Sequence, residues 1–398
     1  MKNRILLFTA ALTAVSLLLS GCAPELGTET SEQKIKSDTK SSVYTSESID
    51  EPTYESTFSE PETDVSDADI IYDAFVAGLQ DNKESIWIDS NVWNSDINLA
   101  LNKTIRYHPE FFWLGGYHVT TSYSKSKITI KNLPDIVGRD DIPSMRNELE
   151  AAADNIIAMI PPGSDTFGKI VFVHDYIVEH TDYDSKAAIE ILSGGNGLYG
   201  TAYGCLVQGN AICQGYALGF MYIMQKLGIN CGFVSGETER GDHAWNYVEV
   251  DGTNYWIDVT WDDPSSNDDP TQSGTNQENV GNLRHVYCLI NDDLLLRSRT
   301  ISDNIEYIPV CSSMADNYYR RNNAYFYSYD KAGVRAVLIA GASERKAEMM
   351  FSSREALDET MDGLFTQMDF WELSDEMLHS EEVTYSIEED LNVLWLSY

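Results

Sequence analysis

The sequence predicts an α+β protein, and three observations carry that class. Segments with apolar residues at helical spacing, such as Ile70, Ile71, Phe75, Val76 and Leu79, are interleaved with short β-branched and aromatic runs such as Thr253 to Thr260. Asp251-Gly252 joins two such runs and is a two-residue hairpin signal, so the strands around it pair antiparallel. No internal repeat of solenoid period occurs, so the 398 residues divide into domains rather than an array. At about 100–200 residues per domain the length accommodates two or three, each large enough to bury its own core.

The composition excludes several function classes. The chain has 63 acidic against 27 basic side chains, a formal net charge of −36. Binding to phosphate backbones depends on Lys and Arg releasing counterions, so nucleic acid is excluded as a partner and basic or amphipathic substrates fit better. Hydrophobic residues at 43% exclude wholesale disorder.

At the N-terminus, Lys2 and Arg4 precede an apolar run from Ile5 to Leu19, the pattern of a signal peptide over residues 1–21. The run falls short of the roughly 20 residues of a membrane span. Leu19-Ser20-Gly21-Cys22 resembles the lipobox of bacterial lipoproteins. That resemblance implies lipid attachment at Cys22 and an extracytoplasmic protein anchored to the bacterial cell membrane. Residues 22–66 are dominated by Ser, Thr and Glu, with eleven acidic and three basic side chains, and read as a disordered, acidic tether. Most of the negative charge, about −30, therefore lies on the folded part.

Residues 67–140 form an N-terminal α+β region. A helix starting near Ala68 is followed by a strand at Ile86 to Ile88, a helix from Asp96 to Tyr107, the aromatic turn His108 to Trp113, and a strand pair from Tyr117 to Ile130. Residues 141–299 form the domain that holds the chemistry. A helix from Ile142 to Ile160 ends at Pro161-Pro162, and a second begins with Ser164 as N-cap and runs to His180. His174 and His180 on that helix are six residues apart, about 240° around a helix of 3.6 residues per turn, so they do not share a face as a helical zinc motif requires. No metal or cofactor is predicted.

Cys213 opens a helix whose inward face is marked by Ala217, Phe220, Met221 and Met224 and which Gly228 stops. A thiol in a first helical turn feels the positive end of the helix dipole, which favours the nucleophilic thiolate. Ile229 to Gly236 reads as a buried strand, and His243 to Val250 pairs with Thr253 to Thr260 across Asp251-Gly252. Counting back from that turn sets Thr260 opposite His243 and Asp258 opposite Trp245, so His243 and Asp258 are diagonal neighbours on one face. Cys213 is then a candidate nucleophile, His243 its base and Asp258 the group that orients the imidazole.

Cys213-Gln214-Gly215-Tyr216-Ala217, Val234-Ser235-Gly236, His243-Ala244-Trp245-Asn246 and Tyr255 to Pro264 together resemble the transglutaminase-like superfamily, with supporting matches at Pro109 to Leu114, His174-Asp175-Tyr176, Thr181 to Asp184 and His285 to Leu289. The resemblance is strongest from Asp141 to Asn291. It implies a papain-like catalytic domain, a nucleophile-bearing helix packed on an antiparallel sheet, and a catalytic triad of Cys213, His243 and Asp258. The expected function is acyl transfer from peptide or amide bonds through a thioester, as a cysteine protease or amidase acting on a protein or peptide at the cell surface. Isopeptide crosslinking (protein-glutamine gamma-glutamyltransferase) and a non-catalytic binding module are the alternatives. Besides the Cys213 N–H, oxyanion-hole candidates are Gln208, Tyr203 and Tyr199, and Trp245 is a substrate-groove candidate.

Asp262-Asp263 and Asp268-Asp269 do not match a calcium loop and read as solvated. Cys205, Cys231, Cys288 and Cys311 read as packing residues rather than a disulfide framework. Residues 300–398, with Tyr325-Phe326-Tyr327, Lys346 to Phe351, a helix near Ser353 and a last strand from Val393, form a C-terminal α+β region without a further nucleophile, base and orienter.

Overall fold

The computed structural model describes residues 66–398 apart from 123, 137, 193–194, 268–282, 303–306, 374–377 and 381. The signal segment, Cys22, all of the tether but Ser66, and the pair Asp268-Asp269 lie outside the described residues. Among the described residues, no helix is long and apolar enough to cross a membrane.

The N-terminal region opens with α1 (Asp67–Gln80), capped by the Ser66 hydroxyl, which accepts the Asp69 N–H at 3.2 Å. Its buried stripe of Ile71, Phe75 and Leu79 follows the helical spacing. Then come β1 (Ser85–Ile88), α2 (Asn94–Tyr107), β2 (Leu114–Ser122) and β3 (Lys125–Asn132). The strands form an antiparallel sheet in the order β1-β3-β2. Ile128 and Ile130 point into the core while Lys125 and Lys131 face out, the period-two alternation of a half-buried sheet.

α3 (Ile142–Met159) and α4 (Thr166–His180) follow. Asp165, not Ser164, caps α4: its carboxylate accepts the Gly168 N–H at 2.8 Å, while the Ser164 hydroxyl donates to the Pro161 carbonyl at 2.7 Å. A carboxylate is favoured there by the helix dipole. Next are β4 (Asp182–Tyr183), α5 (Ser185–Leu192), a π-helical turn Gly204–Gln208, β5 (Asn210–Ala211), which pairs in parallel with β4, and α6 (Cys213–Lys226).

α6 is the buried axis of the molecule, and every residue from Cys213 to Met221 is buried. Ala217, Leu218 and Met221 pack with the N-terminal region around Phe112 and Trp113, while Tyr216, Phe220 and Met224 pack with α4. A helix apolar all round needs partners on all sides, which the sheet below completes.

That sheet comprises β6 (Cys231–Thr238), β7 (Gly241–Val250), β8 (Thr253–Ile257), β9 (Cys288–Ile290) and, after α7 (Asp292–Leu295), β10 (Arg299–Ile301), in the order β10-β6-β7-β8-β9. The hairpin register is the expected one, from Val250 opposite Thr253 to Asn246 opposite Ile257, around a turn with Asp251 and Gly252 at φ 48° and 87°. Strand limits differ: β6 runs on to Thr238 and β7 begins at Gly241. β6 starts at Cys231 rather than Ile229, and β8 stops at Ile257 instead of running to Thr260. Asp258 leaves the ladder because its N–H bonds to the Tyr287 carbonyl at 3.3 Å, while the Asp262 N–H turns back onto the Asp258 carbonyl at 3.3 Å.

The C-terminal region contains α8 (Tyr318–Arg321), β11 (Tyr325–Phe326), α9 (Lys331–Ala340), β12 (Lys346–Phe351), α10 (Arg354–Met361), α11 (Asp369–Leu373), β13 (Thr384–Glu388) and β14 (Val393–Ser397). Its sheet has the order β11-β12-β14-β13. It packs directly on the central sheet: Cys311, Tyr319, Met350 and Val393 share a core cluster with Val234, Trp245 and Trp256. Each such side chain, fully buried, contributes about 1.5–3 kcal/mol of transfer free energy.

Candidate active site

The β4–β5 ladder and the β6–β7–β8 sheet bring three predicted residues together. Cys213 is the first residue of α6, so its N–H is one of those an α-helix leaves without an intrahelical acceptor. His243, near the start of β7, lies beside Cys213, whose charge favours the protonated ring, and donates through Nε2 to Asp258 at 2.8 Å. Since Nε2 is taken by the carboxylate, the nitrogen facing the thiol is Nδ1. All three are buried: Cys213 is 4%, His243 5% and Asp258 0% exposed.

Burial alone would strip the proton from His243, but Asp258 and Cys213 outweigh it and raise the imidazole from 6.5 to about 9. Burial likewise pushes Asp258 up, yet His243 and Arg299 dominate and hold it down at about 2. At neutral pH the site therefore contains a carboxylate and an imidazolium, with the thiol at the positive end of α6.

Arg299 joins the site without any signal in the sequence. Its guanidinium hydrogen-bonds the same Asp258 oxygen that His243 uses, and it is 3% exposed. It lies over the rings of Tyr287, Trp261 and Trp245, with centroids 3.9, 4.2 and 5.8 Å away. The main chain brings it there because β10 pairs with β6, Ile301 opposite Gly236. A Cβ on Gly236 would sit 1.9 Å from the Thr300 carbonyl oxygen, so only glycine admits this approach. Val234-Ser235-Gly236 was visible as a motif, but nothing local tied its glycine to a strand more than sixty residues downstream.

Tyr183 also joins the site. Its ring stands close enough to Cys213 and Asp258 for their charges to oppose its ionisation, although burial is the larger cause. The parallel pairing of Tyr183 with Ala211, two residues before Cys213, sets it there.

The aromatic and oxyanion candidates resolve differently. Trp245 is 1% exposed and stacks on His243 at 5.9 Å, so it supports the imidazole from below and does not line an open groove. Half-buried Trp261 instead covers His243 at 5.6 Å and carries Arg240 over its ring. The Tyr203 hydroxyl donates to Glu148 at 2.5 Å and its ring stacks on Phe112, so it is spent away from the nucleophile. Tyr199 contributes its carbonyl, which accepts the Ile212 N–H at 3.0 Å and ties the 198–200 turn to the start of α6. Gln208 ends the π-helical turn, five residues before Cys213.

A second buried cluster lies on the far side of the Asp258 turn. His174 bonds Asp175 through Nδ1 at 2.8 Å and Asp262 through Nε2 at 3.1 Å. His285 bonds Asp175 through Nε2 at 3.0 Å and Glu348 of β12 through Nδ1. Burial opposes charge on His285, but Glu348 and Asp175 raise it to about 10. His180, the partner weighed for His174 on the sequence, is exposed, stacks on Tyr176 and donates to its carbonyl. Cys205, Cys231, Cys288 and Cys311 are free thiols.

The comparisons agree with the motifs. A family described as the transglutaminase-like superfamily matches residues 154–261. No curated protein matches the chain. Among solved structures, one described as a TGase is 18% identical, covering 44% of this chain and 50% of its own, with a TM-score of 0.28. A second, a putative cysteine protease from Cytophaga hutchinsonii, is 15% identical, covering 35% of this chain and 53% of its own, with a TM-score of 0.25. The chain thus spans about half the length of each, and at this level of superposition neither fixes an activity.

Proposed function

Because residues 154–261 form a domain of the transglutaminase-like superfamily, we propose that the protein is a cysteine-nucleophile acyl-transfer enzyme acting on peptide or amide bonds. One observation carries the reading: Cys213 at a helix N-terminus lies beside an imidazole that buried Asp258 holds through Nε2. Cys213 Sγ, its proton held on His243 Nδ1, attacks the acyl carbon, the Cys213 N–H and a second donor stabilise the oxyanion, and His243 Nδ1 gives that proton to the departing amine as the C–N bond breaks. The thioester is resolved when the acceptor, giving its proton to His243, bonds to the acyl carbon and the C–S bond breaks to free Cys213.

Hydrolysis is favoured over crosslinking. With 4% exposure at Cys213 and Trp261 over His243, the site admits water more readily than a protein-borne lysine. The lipobox-like segment ending at Cys22 supports an enzyme working at the bacterial cell surface, on a tether of about forty residues.

A thiol-reactive peptide probe tests the reading. The parent protein should be labelled and Cys213→Ala should not. Equal labelling of the two would remove the enzyme reading and leave a binding module. With labelling established, release of a new terminus against incorporation of a tagged amine separates hydrolysis from crosslinking.

A further inference from the structure

We propose that His174, Asp175 and His285 form a binding site for a first-row divalent transition-metal ion. The site is separate from the triad. His174 Nδ1 and His285 Nε2 both point at Asp175 Oδ1, at 2.8 and 3.0 Å, and one donor atom from each of the three residues lies within 4.8 Å of the others. Metal–ligand bonds of about 2.0–2.2 Å place neighbouring ligand atoms about 3.0–3.5 Å apart, so shifts of an ångström or less close the set around an ion.

The nitrogens that face away from Asp175 argue for metal. His174 Nε2 is held by Asp262 at 3.1 Å, and His285 Nδ1 by Glu348. A histidine that ligates a metal through one nitrogen needs the other N–H fixed by an acceptor, which sets its tautomer and strengthens it as a ligand; here both rings have that support. Asp262 is itself fixed, accepting the Tyr287 N–H at 3.0 and 3.1 Å. A divalent ion takes the place of the two ring protons in charge, since three carboxylates with two neutral imidazoles and the ion carry −1, as they do with two imidazolium rings. Each ring then releases one proton to solvent as the ion enters.

The chemistry of the ligands selects the ion. Two imidazoles and one carboxylate suit Zn²⁺, Co²⁺, Ni²⁺ or Fe²⁺ and disfavour Ca²⁺ and Mg²⁺, which take oxygen. The Asp175 side chain is 29% exposed while His174 is 0% and His285 5%, so solvent reaches the site from the carboxylate side. That leaves room for water or an external ligand as a fourth donor.

The test is a Co²⁺ titration of the chelator-treated full chain in a Cys213→Ala background, which removes the thiolate as a competing ligand. The expected result is one equivalent of Co²⁺ with a tetrahedral or five-coordinate d–d spectrum, displaced by Zn²⁺. Asp175→Asn and His285→Gln should abolish it, and Glu348→Gln should weaken it by about 10–100-fold. Circular dichroism checks that each variant is folded, and Asp175→Asn, at the half-exposed position, is the variant least exposed to a folding defect. Absence of bound Co²⁺ in the Cys213→Ala protein would overturn the proposal, as would undiminished binding by folded Asp175→Asn.

Discussion

Two buried clusters, each built around imidazoles held by carboxylates, differ in what else faces the imidazole. At His243 one nitrogen meets a carboxylate and the other meets the Cys213 thiol. At His174 and His285 every ring nitrogen meets a carboxylate. The first arrangement leaves an exchangeable proton next to a nucleophile, which is what acyl transfer needs. The second has no acyl acceptor or nucleophile, and it joins elements far apart in the chain: α4, the turn after Asp258, the segment before β9, and β12. One cluster can act on an acyl group because a nucleophile faces its imidazole, and the other offers only imidazoles braced by carboxylates, a set suited to holding an ion.

The comparison breaks most visibly at the carboxylates. Asp258→Asn should lower kcat/KM by about 10²–10⁴-fold, because the amide no longer fixes the imidazole tautomer or its charge. It also strands the Arg299 guanidinium, 3% exposed, beside a neutral group, so stability should fall by about 3–5 kcal/mol. Steady-state kinetics and denaturant melts measure the two losses, and retention of activity within tenfold would show that Asp258 is not the orienting group. Glu348→Gln is the matched change in the other cluster. It weakens acceptors used by His285, by Tyr319 at 3.0 Å and by Trp395 at 3.3 Å. Stability should fall by about 3 kcal/mol while kcat/KM stays within about threefold. A kinetic loss as large as that of Asp258→Asn would mean that the two clusters act as one.

The two sites were not equally legible in the sequence. The triad was readable because its geometry is local: a helix start fixes Cys213, and a two-residue turn fixes the register that puts His243 near Asp258. Asp258 reached its place through a turn rather than the continued strand, yet the imidazole contact survived the difference. Arg299 was illegible because its position depends on β10 crossing to the free edge of β6, a long-range pairing without a local signal. His285 and Glu348, separated by 63 residues, are joined only by packing of the C-terminal sheet. On the sequence His174 could be weighed only against its helical neighbour His180, and the partner that matters lies 111 residues away. The same limit applies to charge: an overall −36 gives no sign of the local positive potential that buried Arg299 supplies beside Asp258.

The smallest effect sharpens the comparison most, because it isolates how Arg299 shares Asp258 with His243. His243 is raised from 6.5 to about 9, so the stability it contributes is fully present below about 6.5 and is lost as pH rises through about 9. The imidazolium needed to protonate the leaving amine disappears over the same interval, so kcat/KM should fall on its alkaline side with a midpoint near 9. Arg299→Gln removes a cation that competes for the Asp258 oxygen and opposes a second positive charge nearby. His243 then holds its proton more tightly, and the alkaline midpoint should move upward, while Asp258 keeps an ionic partner and the plateau rate falls far less than in Asp258→Asn. A purely structural Arg299 would lower stability without moving that midpoint. A downward shift would mean that Arg299 strengthens the His243–Asp258 pair by orienting the carboxylate rather than weakening it by competition.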